Sequence, residues 1–197
     1  FRFIIISVTC LLFVFILTVI GILITYPPMP SLVQSILSRE IQYAIVLSLI
    51  TSCLSTGFCL LFAIPVGYAL SRYTFPGKGF VTSIINLPLA LPPIVSGIAL
   101  LLFFGTTLPG KMLADIGFKV LYTPVAIIIA QFFVNLPYLI RVLNAAFDRI
   151  SPRYEHVAKT LGASDFLSFW KISLPMAKES IAAGTIITWS QNEICRK

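Results

Sequence analysis

The chain has 197 residues, of which 58% are hydrophobic and 11% charged, with a mean hydropathy of +0.98 and a formal net charge of +7. Soluble domains carry about 25% charged residues, so this composition excludes a single water-soluble core and implies an all-α integral membrane protein, a bundle of transmembrane helices. Nucleic acid is a poor explanation for the positive charge, because the basic residues cluster in loops between apolar runs, where they set topology.

Residues 3–24 form a charge-free run of 22 residues, long enough to span a bilayer and too long for a signal-peptide core. The chain begins at Phe1 rather than methionine, which suggests that something precedes it. Tyr26-Pro27-Pro28-Met29-Pro30 signals an interface and a turn, and residues 31–40 are expected to lie along the surface. Residues 41–70 make a second charge-free run whose 30 residues exceed the bilayer and imply tilt, with Pro65 and Gly67 expected to kink its last turns. Ser71 to Gly79 is a short basic loop. The third span, residues 80–105, is interrupted by Pro88, Pro92 and Pro93. Residues 106–120 form a loop, and residues 121–140 the fourth span, with Gln131 and Asn135 inside it. A charged loop, residues 141–178, then leads to a fifth apolar run, about 179–190, whose core of nine residues is too short to cross.

With a cytoplasmic N-terminus, the inside segments hold nine lysines and arginines and the outside loops only Arg39, Lys111 and Lys119. That bias predicts a multi-pass protein with the 141–178 loop in the cytoplasm. No ionisable residue lies in the interior of the first four spans, which argues against a proton-driven carrier. There is no phosphate-binding glycine loop and no Ser/His/Asp constellation, so an enzyme is not expected. His156 is the sole histidine, and Cys10, Cys53, Cys59 and Cys195 form no ligand-like cluster, so no metal site is expected.

Within the charged loop, Ser151 and Pro152 open a short helix on which Tyr154, Val157, Ala158 and Leu161 share one face. Gly162 is placed to end it through a left-handed residue, Ser164 to cap a second helix, and Pro175 to close that one. The stretch resembles the cytoplasmic loop of ABC-importer membrane subunits, the binding-protein-dependent permeases, whose pattern is Glu-Ala-Ala, three residues, Gly, nine residues and Ile-x-Leu-Pro. Gly162, Ile172, Leu174 and Pro175 match at that spacing. His156, Val157 and Ala158 stand at the Glu-Ala-Ala positions, with Glu155 one place early.

The resemblance implies a coupling helix that docks in a groove of a separate ATPase subunit through Glu155, His156, Val157, Ala158, Lys159, Leu161, Gly162, Ala163 and Ser164. It also implies a homodimer of permeases in a prokaryotic cell membrane. Two ATPase subunits would carry ATP and Mg, and an extracytoplasmic protein would deliver the cargo. The stretch from Asn86 to Leu100, with Phe75-Pro76-Gly77-Lys78-Gly79 before it, looks most like molybdate/tungstate permeases, with sulfate permeases close behind. Pro88, Pro92, Pro93 and Ser96 are candidates to line the path, since a broken helix must turn its freed carbonyls to protein or water. An ion-coupled secondary carrier and a membrane scaffold are the competing readings. After Ser190 the sequence departs from the resembled pattern, which is read as a truncation or frame change.

Overall fold

The computed structural model describes residues 2–25, 38–117 and 119–194, and the regular structure among them is entirely helical. In order these are α1 (Arg2–Thr25), α2 (Arg39–Arg72), α3 (Lys78–Ala90), α4 (Pro93–Thr106), α5 (Leu108–Asp115), α6 (Pro124–Asp148), α7 (Arg153–Thr160) and α8 (Asp165–Ser168). A π-helical turn (Phe169–Ser173), α9 (Leu174–Met176) and α10 (Lys178–Ile194) complete them. The expected turn at 26–30 and most of the surface segment after it lie outside the described residues.

Internal contacts divide the chain into two units, Phe1–Val46 and Leu47–Lys197. In the first, α1 is a 24-residue helix with apolar side chains exposed along it, and the Thr18 hydroxyl donates to the Val14 carbonyl at 2.8 Å. Among the described residues, α2 and α6 are long and apolar enough to cross a membrane, and α3 with α4 would make a third crossing if counted as one span.

Residues 106–120, expected as a loop, hold the helix α5, which Thr107 caps by accepting from the Gly110 N–H and in whose first turn Pro109 fits. Three further expected boundaries differ from the structure for identifiable reasons. The run 80–105 is two helices, α3 and α4, bent by 108°, rather than one continuous helix. Pro92 and Pro93 have no N–H to give, and a residue before proline is pushed to extended backbone, as Leu91 is at φ −90° and ψ 137°. The helix restarts cleanly because Val95 and Ser96 donate to the Pro92 carbonyl. The helix of the expected fourth span, α6, starts at Pro124, behind an extended Thr123, and continues to Asp148, so the first part of the expected 141–178 loop is helical. The last helix, α10, runs past residue 190 to Ile194.

The second unit is built around α6. Cys59 and Ala63 of α2 pack with Leu139, Leu143 and Phe147 of α6, all fully buried. Gly67 lets α2 approach: a Cβ there would lie 3.1 Å from Leu143 Cβ and 3.2 Å from the Asn144 nitrogen. Gly184 does the same for α10, where a Cβ would meet Leu139 and Val142 side chains at 3.1 Å. Small residues that bring backbones together are the usual means of packing helices in lipid, where apolar burial supplies no driving force.

Polarity is inverted relative to a water-soluble protein. Leu49, Leu54, Phe58 and Leu61 of α2 are exposed, whereas Thr51, Ser52, Ser55 and Thr56 on the same helix are buried. Buried Asn192 of α10 donates to Thr56 Oγ1 at 2.9 Å and accepts from Asn135 Nδ2, while Gln131 Nε2 donates to the Asn192 carbonyl at 3.0 Å. These bonds tie α2, α6 and α10 together through amides and hydroxyls. Replacing Gly67 by leucine is expected to lower stability by about 1–3 kcal/mol through overpacking. Gly57→Ala, with nothing within 4 Å of its added Cβ, is expected to leave the thermal midpoint in detergent unchanged or raised.

Candidate functional site

The loop after α6 is shaped by local hydrogen bonds. Ser151 Oγ accepts from the Arg153 N–H at 3.4 Å and its carbonyl from Tyr154, while the Pro152 carbonyl accepts from His156, which starts α7. The helix ends with Ala163 N–H donating to the Ala158 carbonyl and Gly162 N–H to the Lys159 carbonyl. That paired arrangement needs a left-handed residue, and Gly162 takes φ +90°. Ser164 Oγ accepts from the Leu167 N–H and caps α8. Pro175, expected to close this helix, lies instead in α9, which follows α8 through the π turn and ends at Met176. The Leu174 N–H donates five residues back to Phe169, and this widened turn carries the chain through a proline that cannot make the next bond.

The candidate docking residues separate into two faces. Tyr154 (53% exposed), Val157 (59%) and Leu161 (84%) turn outward together with His156, Lys159, Gly162 and Ser164. Ala158 and Glu155 are buried, and Ala163, Ile172 and Leu174 are half-buried, with Pro175 exposed. Lys159 pairs with Asp165 on the surface.

Glu155 therefore faces the chain's own interior. Its Oε1 accepts from Arg72 Nε at 2.8 Å and from Ser173 Oγ at 2.6 Å, and its Oε2 from Tyr68 OH at 2.9 Å. Arg72 extends the anchor: Nη2 donates to the Ile150 carbonyl at 2.9 Å and Nη1 to Ser71 Oγ at 3.2 Å, and Ser71 donates to Asp148 at 2.6 Å. The Tyr68 ring packs on Phe169 at 4.6 Å and on Phe147 at 5.5 Å between centroids. The end of α2, α7 and the π turn thus meet on one carboxylate, and Ser71 and Tyr68 carry the contact on to Asp148 and Phe147 at the end of α6. Removing one partner of such a buried pair costs about 3–5 kcal/mol, because the other charge is left behind.

The sequence reading did not find Tyr68, Arg72 or Ser173. A signal existed for the first two, since residues four apart on a helix share a face and here end a long apolar run. Nothing local marked Ser173. Gln131 and Asn135 were noted inside a span, but their partner Asn192 lay beyond the part taken as helix.

Of the path-lining candidates, Pro92 and Pro93 sit exposed at the bend, and Pro88 is buried. Ser96 is 1% exposed with no hydrogen-bond partner for its hydroxyl. A recess of about 300 Å³ opens beside Pro93, Gly97 and Gln131. Among the described residues no group of three or more His, Cys, Asp or Glu side chains could hold a metal ion.

Burial works to raise the Glu155 carboxyl pKa, but the hydrogen bonds from Ser173, Arg72 and Tyr68 outweigh it and hold the group below its ordinary 4.5. A carboxyl lowered on folding stabilises the fold fully above its unfolded value, and that contribution is lost as pH falls through the folded value. The thermal midpoint of the loop, followed by tryptophan fluorescence, is expected to be flat above pH 4.5 and to fall below it. Glu155→Gln should weaken this dependence.

The described geometry matches known proteins in both sequence and fold. Residues 60–192 match the family model described as "Binding-protein-dependent transport system inner membrane component". The molybdate/tungstate transport system permease protein WtpB of Thermococcus kodakarensis is 36% identical over 160 residues, 81% of this chain and 60% of the relative. The molybdenum transport system permease protein ModB of Mycobacterium tuberculosis is 36% identical over 77% of this chain and 58% of its own. The sulfate transport system permease protein CysT of Escherichia coli is 29% identical over 81% of this chain and 58% of its own. The chain thus spans about 60% of the length of such relatives. A bacterial ABC transporter involved in import of the polysaccharide alginate shares the fold, with a TM-score of 0.58 at 21% identity over 93% of this chain and 73% of that one. The chain belongs to the family of binding-protein-dependent transport system inner membrane components.

Proposed function

We propose that the chain is part of the translocation subunit of an ABC importer, with α7 as the helix on which a separate cytoplasmic ATPase subunit docks. The observation that carries this reading is the outward apolar face of α7, Tyr154, Val157 and Leu161, inside the region matched by the family model. A short helix seats in a groove by its apolar face, and rim charges such as Lys159 and His156 tune the choice of partner. ATP and Mg belong to two ATPase subunits, while a second permease copy and an extracytoplasmic binding protein complete the importer.

The cargo is a tetrahedral oxyanion, molybdate or tungstate, on the strength of the relatives' names; sulfate is the alternative that the same comparisons support. No lysine, arginine or histidine lies within residues 41–70, 80–105 or 121–140, which fits a binding protein that holds most of the selectivity. An ion-coupled carrier is less well supported: the buried acid among the described residues is Glu155, and its charge is committed to Arg72.

Co-purification tests the docking reading. The tagged chain extracted from its native membrane is expected to bring an ATPase subunit with it, and Val157→Asp with Leu161→Asp to lose that subunit while keeping the parent's thermal midpoint. An ATPase retained at full yield by the double variant would contradict the assignment. For the cargo, uptake of molybdate by vesicles holding the assembled importer and ATP is expected to resist a tenfold excess of sulfate; efficient competition would shift the assignment to sulfate.

A further inference from the structure

Glu155 stands among the residues expected to touch the ATPase subunit, yet its carboxylate is spent inside the chain. α7 is eight residues long and buries only Glu155 and Ala158, so something must fix it to the spans. Its buried polar fastening is the contact with Arg72, Tyr68 and Ser173. Arg72 is the last residue of α2, a 34-residue helix, and the same guanidinium holds the Ile150 carbonyl at the turn leading into α7. One planar group therefore joins the end of a long helix to both the turn before α7 and the first turn of α7. Both partners of the pair are nearly buried, with side chains 9% and 8% exposed, so solvent does not soften it.

We propose that Arg72 is a positioning residue of the importer, the strut through which displacement of α7 by the ATPase subunit moves α2. This rests on the docking reading above. Arg72 does not touch the partner; it acts through Glu155. A fork of N–H donors bound at Glu155, Ile150 and Ser71 resists rotation, which a lysine at the same place would not. Ser173 brings the π turn into the same joint, so the loop moves as one piece.

The test separates binding from transmission. In the full chain with its four native cysteines replaced by alanine, a nitroxide at Leu61→Cys reports on the exposed side of α2 in liposomes containing the ATPase subunit. The parent is expected to bind the ATPase subunit and to change its spectrum when ATP and vanadate trap the closed state. Arg72→Gln should bind the subunit with a Kd within about twofold of the parent and lose at least four-fifths of the spectral change. Tyr68→Phe and Ser173→Ala leave no buried unpaired charge, and each should reduce the change while keeping binding. The joint variant Arg72→Gln with Glu155→Gln should be no worse than Arg72→Gln alone, because both act on one joint. If Arg72→Gln fails to fold, the Tyr68 and Ser173 variants decide. A parent that binds no ATPase overturns the docking reading and this inference together. Three results overturn the inference alone: a parent that binds but shows a silent label, variants with a full spectral change, and variants that lose binding and signal in proportion.

Discussion

A carboxylate inside an apolar protein is tolerated only when its charge and its lone pairs are met, and Glu155 meets that condition with three donors, two from the end of α2 and one from the π turn. Because those donors come from α2 and the π turn, satisfying Glu155 fixes where α7 lies and which of its faces is left outside. The outward direction of Tyr154, Val157 and Leu161 is thus a consequence of an inward glutamate: residues 154, 157 and 161 share one face of the helix, and residue 155 is a hundred degrees from the first of them. The docking face and the anchor are two sides of α7 and its C-cap residue Leu161.

The rest of the second unit follows from its solvent. With lipid outside, exposed leucines and phenylalanines on α2 carry no penalty, and the helices are held by close approach and by hydrogen bonds. Gly67 and Gly184 supply the approach on two sides of α6, and the amides of Gln131, Asn135 and Asn192 supply the bonds. The bend between α3 and α4 breaks this regularity where two prolines remove donors in succession. Ser96, buried without a partner, sits in the first turn after it.

The all-α class was legible from composition and the apolar runs, and the turn between α7 and α8 from Gly162 and Ser164, because caps and glycine stops are local and their geometry follows from residue type. What the sequence could not show was long-range pairing. Arg72 read as a topology-setting loop charge, and only the return of the chain over more than eighty residues makes it the partner of Glu155. Pro175 misled for a related reason: proline ends most helices, but a widened turn just before it lets the chain continue. α10 extends past the end of the apolar run at Trp189 through polar residues, of which Asn192 bonds the buried amides of Gln131 and Asn135 on α6 and Thr56 on α2.

The central claim is that α7 lies on the cytoplasmic side with its apolar face presented to an ATPase subunit. Labelling Leu161→Cys, in a background without the native cysteines, with a membrane-impermeant maleimide tests it most directly. The account predicts reaction in inside-out vesicles alone and protection when the ATPase subunit is added. Reaction from the outer side, or labelling that the ATPase subunit leaves unchanged, would contradict it.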